Sequence, residues 1–156
     1  MAKSWLGWLC AAALFAGTCD ICFATGYSYV RRGVPPQRVL QFVASGALGP
    51  EAFQGGTTTA AVGLAFHYVN AFLITAAFFA FAAIMPALVR RPLLVGVGYG
   101  AAVFWVMNFI VIPLSRIGPR PTRAAAVVVP ELLVHMLLVG YPIALAAASA
   151  RSRRSR

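Results

Sequence analysis

The sequence predicts an all-α polytopic membrane protein, a bundle of four transmembrane helices with an amphipathic interfacial segment in the first loop. Of its 156 residues, 61% are hydrophobic and only 10% are charged, and the mean hydropathy is +0.82. An ordinary soluble domain carries about 25% charged residues, and a soluble chain of this size could not bury so much apolar surface. The composition therefore excludes a soluble enzyme, a disordered chain and a free nucleic-acid-binding protein.

Four apolar runs are long enough to cross a bilayer, which takes about 20 helical residues. The runs cover residues 5–27, 60–89, 93–114 and 124–150. Together they form one predicted domain over residues 1–150. The breaks at 90–92 and 116–123 combine arginine with proline or glycine, which neither lipid nor a continuing helix tolerates well. The second run is roughly 45 Å long if wholly helical, so it must tilt, extend past the membrane or bend near Pro86.

The first run is predicted to be an uncleaved helix. Lys3 followed by residues 5–16 has the charge and the apolar core of a signal peptide. However, no A-x-A cleavage site follows, and the apolar stretch continues past Asp20. These two observations favour a helix that stays in the membrane.

Four spans place both chain ends on the same side of the membrane. With the ends in the cytoplasm, seven lysine and arginine residues lie inside and six lie outside, which is nearly a tie under the positive-inside rule. The basic tail 151–156 favours cytoplasmic termini, so we predict a multi-pass protein of the bacterial cytoplasmic (inner) membrane. The tail is interpreted as a topology anchor. Its alternative is a patch for anionic lipid or nucleic acid, and no nucleic-acid partner is predicted.

Residues 31–56 form the sizeable segment outside the predicted spans. Pro35-Pro36 suits the start of a helix, apolar and polar residues then follow at helical spacing, and Gly46 and Gly49 would end that helix. Such an amphipathic segment lies in the membrane interface or covers the end of the bundle. A lid over a ligand is the alternative.

Six short motifs are spread over residues 17–115. They are Gly17-Thr18-x-Asp20, Leu40-Gln41-x-x-Ala44-Ser45-Gly46-x-Leu48-Gly49, Ala52-Phe53-x-Gly55-Gly56, Arg90-Arg91-Pro92, Gly98-Tyr99-Gly100 and Val106-Met107-Asn108-Phe109-x-Val111-x-Pro113-Leu114-Ser115. In these motifs the chain resembles a family of uncharacterised bacterial four-helix integral membrane proteins. The resemblance implies a four-helix membrane protein of about this length, and it implies no established activity.

Six polar residues lie within the predicted spans, and they are the candidate ligand- or ion-binding residues. They are Asp20, His67, Asn70, Asn108, Glu131 and His135. An ionisable residue inside a span costs roughly 2.5–3.5 kcal/mol on insertion scales, so each needs a reason to be there. At about 1.5 Å per residue, the alternating helix directions bring one polar group of each span to a layer about 10 Å below the first and third loops.

This shared depth predicts a polar pocket that binds or conducts a small solute or ion. In this hypothesis Asp20 or Glu131 accepts a proton or cation, and His67 titrates near neutral pH. The first alternative is a structural or partner-stabilising membrane protein without a ligand, whose polar residues hydrogen-bond one another and fix the packing.

The position of Pro130 decides whether Glu131 belongs to this polar layer. A helix that starts at Pro130 would leave Glu131 near the interface, whereas Pro130 inside a longer helix would kink it and free a carbonyl group.

The second alternative is a membrane-embedded metal or redox enzyme. Two histidines and two carboxylates resemble the ligands of zinc, iron or manganese, and Cys19-x-x-Cys22 has the spacing of a redox pair. No dense ligand motif, phosphate loop or nucleophile motif accompanies them. We therefore predict no metal, no cofactor and no catalytic residue, and we interpret Cys10 and the cysteine pair as small packing residues.

Gly96 and Gly100, with Gly98 between them, give the third span a smooth face. Small residues spaced in this way let helices approach closely. We predict that this face packs within the bundle, and the alternative is a homo-oligomer formed through Gly96 and Gly100. Lipid and a small solute or ion complete the predicted partners.

Overall fold

The structure is a computed structural model that describes residues 5–121 and 123–153, and these residues form helices and turns without a strand. Four helices are long and apolar enough to cross a membrane. They are α1 (Trp5–Arg32), α3 (Gly56–Ile84), α4 (Pro92–Leu114) and α5 (Ala125–Ser152). The shorter helix α2 (Pro36–Leu48) occupies the first loop. The predicted all-α bundle is confirmed, while Lys3 and residues 154–156 of the basic tail lie outside the described residues.

The helix boundaries differ from the predicted ones at both ends of the first loop. Helix α1 continues to Arg32, because the long arginine side chains can leave the membrane while the backbone stays helical. Helix α3 begins four residues early, at Gly56, and ends at Ile84. Pro86 ends it, since a residue before proline is driven out of the helical region, and Met85 has φ −119° and ψ 81°. A 3₁₀ turn, Pro86–Val89, then leads to α4.

The half of the bundle away from α2 is filled by a continuous apolar core. Phe78 and Phe79 of α3 are fully buried there, as is Ile143 of α5. Alanines of α1 and α5 pack around these rings and let the helices come close together. The filled half fixes the positions of the helices, so the half nearer α2 is where space remains.

Gly96 and Gly100 lie between α4 and α5 of the same chain. A Cβ atom on Gly100 would sit 2.0 Å from the His135 carbonyl oxygen, and one on Gly96 would sit 2.6 Å from the Cα atom of Tyr141. Both glycines are buried. This face is therefore used for packing within the bundle, as predicted, and the alternative of a homo-oligomer through Gly96 and Gly100 has no support in the structure.

Helices α4 and α5 each contain one π turn, at Met107–Val111 and at His135–Gly140. Each turn is followed within two residues by a proline, Pro113 or Pro142, which has no N–H group to continue the regular ladder of hydrogen bonds. Such wide turns frequently occur at functional sites. Here they contain two of the candidate polar residues, Asn108 and His135.

Pro130 lies inside α5, which begins at Ala125. Of the two sequence interpretations, the start of a helix at Pro130 is therefore wrong. Because Pro130 has no N–H group, the carbonyl of Ala126 lacks its usual intrahelical donor. The Tyr27 hydroxyl donates to that carbonyl at 2.5 Å and joins α1 to α5.

This hydrogen bond predicts a specific coupling between two positions. Tyr27→Phe should lower the free energy of unfolding by about 1 kcal/mol, because the Ala126 carbonyl loses its donor. In a Pro130→Ala background the same change should cost clearly less, because the new N–H group at position 130 satisfies that carbonyl. Denaturant titration of the four proteins in mixed micelles measures the cycle. Equal costs in both backgrounds would contradict the assignment.

Helix α2 is attached on two sides to the end of the bundle. A Cβ atom on Gly63 of α3 would sit 1.9 Å from the Leu40 carbonyl oxygen, so the two backbones touch. Gln41 Nε2 donates to the Gly56 carbonyl at 3.0 Å. On the other side, the Arg116 N–H group donates to the carbonyl of Gly46 at 2.9 Å. Helix α2 is thus a fixed cover over one end of the four spans.

Candidate functional site

A cavity of about 940 Å³ lies in the half of the bundle below α2. Residues of all five helices and of the loop between α4 and α5 line it. The six candidate residues predicted from the sequence all belong to its lining, namely Asp20, His67, Asn70, Asn108, Glu131 and His135. Residues from four separate spans therefore meet around one space.

Asn108 is the centre of a hydrogen-bonded network at the loop end of the cavity. Its Oδ1 atom accepts from Arg120 Nη2 at 2.5 Å and from Arg123 Nη2 at 2.7 Å. Its Nδ2 atom donates to the Phe104 carbonyl at 2.8 Å, which fixes the orientation of the amide. Arg123 also donates to Glu131, so a loop arginine bridges α4 and α5.

Arg120 carries a positive charge that no carboxylate among the described residues pairs. Burial, and then repulsion from Arg123, lower the pKa of Arg120, while Glu131 acts in the opposite direction. An arginine keeps its proton in spite of such shifts. Its guanidinium lies 5.6 Å from the ring centroid of Phe42 in α2, within the range of a cation–π interaction. The cavity therefore faces a partly desolvated cation.

His135 and Asp20 form a second polar pair deeper in the cavity wall. His135 Nδ1 donates to the Glu131 carbonyl at 2.9 Å, which assigns the proton to that nitrogen. The same nitrogen is 3.8 Å from Asp20 Oδ1, too far for a hydrogen bond but close enough for an ion pair when the ring is protonated. The Asp20 carboxylate thus keeps its capacity to accept hydrogen bonds.

His67 and Asn70 approach the cavity from α3. His67 Nε2 donates to the Gly17 carbonyl at 2.8 Å, across a close crossing of α1 and α3. A Cβ atom on Gly17 would meet the Ala71 methyl group at 3.0 Å, so glycine is what brings that carbonyl within reach. Asn70 lines the cavity, and its amide has no hydrogen bond to another described residue.

Two of the network's residues were missed by the sequence reasoning. Arg120 and Arg123 were assigned to membrane topology, yet both side chains line the cavity. The short loop that holds these two arginines could have indicated their place near the candidate residues. Arg123 precedes the intramembrane Glu131 by only eight residues, and Gly118, with φ +74°, closes a turn that begins at Ser115. An arginine so placed lies close enough to reach the carboxylate.

The cavity changes in polarity along its length. Arg32 and Arg38 join the two loop arginines at the end near α2, where Arg38 donates to the Phe53 carbonyl and Arg32 donates to Ser28 Oγ. Its other walls are mainly apolar and include side chains such as Ile74, Val103, Val139 and Ile143. The site therefore combines a cationic end with an apolar interior.

The described residues hold no group of three or more histidine, cysteine or acidic side chains arranged to bind a metal ion. Cys10, Cys19 and Cys22 are free thiols, and none of the three lines the cavity. The donors that do face the cavity are spread over four helices, and arginine side chains lie among them. This arrangement suits a polar or charged solute better than a tightly held metal.

Comparison with known proteins identifies no relative of this chain. The family resemblance therefore stays a prediction, and the functional inference depends on the geometry of the cavity. No protein-family model, curated protein or solved structure matches this chain.

Proposed function

We propose that this chain is a non-enzymatic integral membrane protein that binds a small solute or ion in the cavity below α2. One observation carries the proposal: polar groups from four spans, with two loop arginines, line a single space of about 940 Å³. Ligand pockets in proteins measure roughly 300–1,000 Å³ and are mainly apolar with a few placed polar groups. The cavity has this size and this composition.

The unused hydrogen-bonding capacity of the lining supports a ligand over packing alone. Within the described part of the chain, neither the Asp20 carboxylate nor the Asn70 amide has a hydrogen-bond partner. His67 and His135 each use one ring nitrogen in the hydrogen bonds described above and retain the other. Polar groups inside a membrane are costly when they are unpaired. A cavity that admits a solute, with water around its polar end, would satisfy them, whereas a purely structural role would require them to pair with one another.

The geometry favours binding over conduction. The core around Phe78 and Phe79 fills the bundle beyond the cavity, and both side chains are fully buried. A conducting path would have to pass through this closely packed region. The cavity is therefore proposed as a site that holds its solute.

The same proposal includes the orientation in the membrane. With both termini in the cytoplasm of a bacterium and the chain in the inner membrane, α2 and the loop between α4 and α5 face the outside. The arginines of the tail, including Arg151 in the last turn of α5, support this orientation through the positive-inside rule. The cavity then draws its solute from the outer half of the bilayer or from the periplasm.

Removing one carboxylate tests the proposed function. Asp20→Asn should change the amount of solute that copurifies with the protein several-fold and leave the melting temperature nearly unaltered, because that carboxylate holds no hydrogen bond in the described structure. Native mass spectrometry of protein released from its own membrane measures the retained species. Glu51→Gln, at an exposed position of the turn Pro50–Gln54, removes a carboxylate outside the cavity and should change neither quantity.

The structural alternative gives the opposite pattern. If the wild-type protein retains no species, and if Asp20→Asn lowers the melting temperature, the polar residues serve packing and the binding proposal is wrong. If Glu51→Gln changes retention as strongly as Asp20→Asn, the effect comes from overall charge and the cavity is not the site.

A further inference from the structure

The charges of the cavity do not balance. Four arginines line it against two carboxylates, an excess of two positive charges with both histidines neutral. Each carboxylate already has a basic group beside it, since Arg123 pairs with Glu131 and His135 lies 3.8 Å from Asp20. Arg32, Arg38 and Arg120 are left without a carboxylate among the described residues. Arg32 and Arg38 are exposed to solvent, whereas Arg120 is partly buried, so Arg120 is the arginine at which a bound anion would compensate most.

Arg120 is best placed to receive that anion. Its Nη2 atom donates to Asn108, which leaves most of its five N–H groups for another acceptor. It is partly buried and adjacent to a second cation, Arg123, so an added negative charge would relieve both desolvation and repulsion. A metal ion or another cation would meet the opposite forces at this position.

The apolar walls of the cavity indicate a second chemical property of the solute. Ile74, Val103, Val139 and Ile143 line the cavity with α2 side chains such as Val39 and Val43. A small hydrophilic anion would occupy the arginine end and leave these walls without a partner. An apolar chain attached to the anion would lie along them.

We infer, on the basis of the proposed function, that the solute is a single-chain anionic amphiphile. Its phosphate or carboxylate group is held by Arg120 near Arg32 and Arg38, and its hydrocarbon chain lies against the apolar walls of the cavity. The inference deepens the binding proposal by naming the ligand class. It can fail while that proposal stands.

The experiment uses full-length protein in nanodiscs of phosphatidylcholine, a lipid without net charge. Three probes are compared by native mass spectrometry: tetradecyl phosphate, tetradecanol and inorganic phosphate. We expect saturable binding of one tetradecyl phosphate per chain, with affinity at least tenfold higher than for either of the other probes. Equal binding of tetradecanol would overturn the role of the charge, and equal binding of inorganic phosphate would overturn the role of the hydrocarbon chain.

Variants locate the site. Arg120→Gln should weaken binding of tetradecyl phosphate roughly tenfold or more, the usual loss for a hydrogen bond to a charged group. Arg31→Gln is the matched control. Arg31 is exposed at the C-terminal end of α1, next to Arg32, and it does not line the cavity. Unchanged affinity in Arg120→Gln, or an equal loss in Arg31→Gln, would overturn the assignment.

A second variant keeps the test decisive if Arg120→Gln folds poorly. Asn108→Asp retains an acceptor for both loop arginines and adds a negative charge beside them, so it should reduce affinity by a similar factor. If tetradecyl phosphate does not bind to the wild-type protein while Asp20→Asn still changes the copurified solute, the amphiphile is wrong and the binding function remains. If the wild-type protein also retains no copurifying solute, both proposals fail.

Discussion

Replacing Gly100 by alanine is expected to lower the free energy of unfolding by about 3 kcal/mol, the upper end of the usual cost of overpacking. The added methyl group would overlap the carbonyl oxygen of His135, from which it would be only 2.0 Å away. That oxygen belongs to the backbone of a π turn, so it cannot move aside as a flexible side chain can. Helices α4 and α5 would have to separate along their closest contact.

Gly98→Ala is the matched control for this prediction. Gly98 lies in the same helix, and a Cβ atom on it would meet nothing within 4 Å. Its replacement should alter the free energy of unfolding by less than about 0.5 kcal/mol. Denaturant titration in mixed micelles, followed by circular dichroism, compares the two. Similar losses at both positions would show that glycine is needed in α4 for a reason other than contact with α5.

The second large effect is expected at Asn108. Asn108→Leu should cost about 3 kcal/mol, because it removes the acceptor shared by Arg120 and Arg123 and leaves partly buried charges with fewer partners. Asn108→Asp should cost clearly less than Asn108→Leu, since a carboxylate accepts the same hydrogen bonds from the arginines and offsets one positive charge, although it loses the hydrogen bond that Nδ2 donates to the Phe104 carbonyl. The contrast separates the loss of an acceptor from a mere change of side chain.

The same unfolding titration measures both Asn108 variants. A high salt concentration gives a further comparison, because partly buried pairs are screened less than exposed ones. The difference between the leucine and aspartate variants should therefore persist in 0.5 M salt, a concentration well above physiological ionic strength, roughly 0.15 M. If Asn108→Asp is as damaging as Asn108→Leu, the arginines do not depend on that acceptor, and the network is not a source of stability.

The sequence was sufficient to predict the four spans, because hydrophobic length is a property of composition that no tertiary contact has to supply. It was less informative about where α1 and α3 begin and end. Arg31 and Arg32 were placed in the first loop, but arginine is compatible with a helix and only its charge has to reach water. Thr57, Thr58 and Thr59 were placed outside the second span, although they belong to the first turn of α3.

Of the geometry of the candidate site, the sequence predicted only the depth of each polar residue in the membrane. Counting residues from the helix ends gives depth in the membrane, and depth brought Asp20, His67 and Glu131 to one level. The direction in which each side chain points was not predicted, because it depends on the rotation of each helix. The contribution of Arg120 and Arg123 depended on the path of a loop, which composition does not specify.

The π turns of α4 and α5 each hold one residue more than a regular helical turn. One residue corresponds to about 100° of rotation about the helix axis. The residues on either side of each π turn therefore face directions that a regular helix of the same sequence would not give them. Deleting a single residue such as Ile110 would leave the span apolar and long enough for the bilayer. It would nevertheless turn Asn108 toward a different neighbour. The site therefore depends on the number of residues in the π turn, which a hydropathy profile does not reveal.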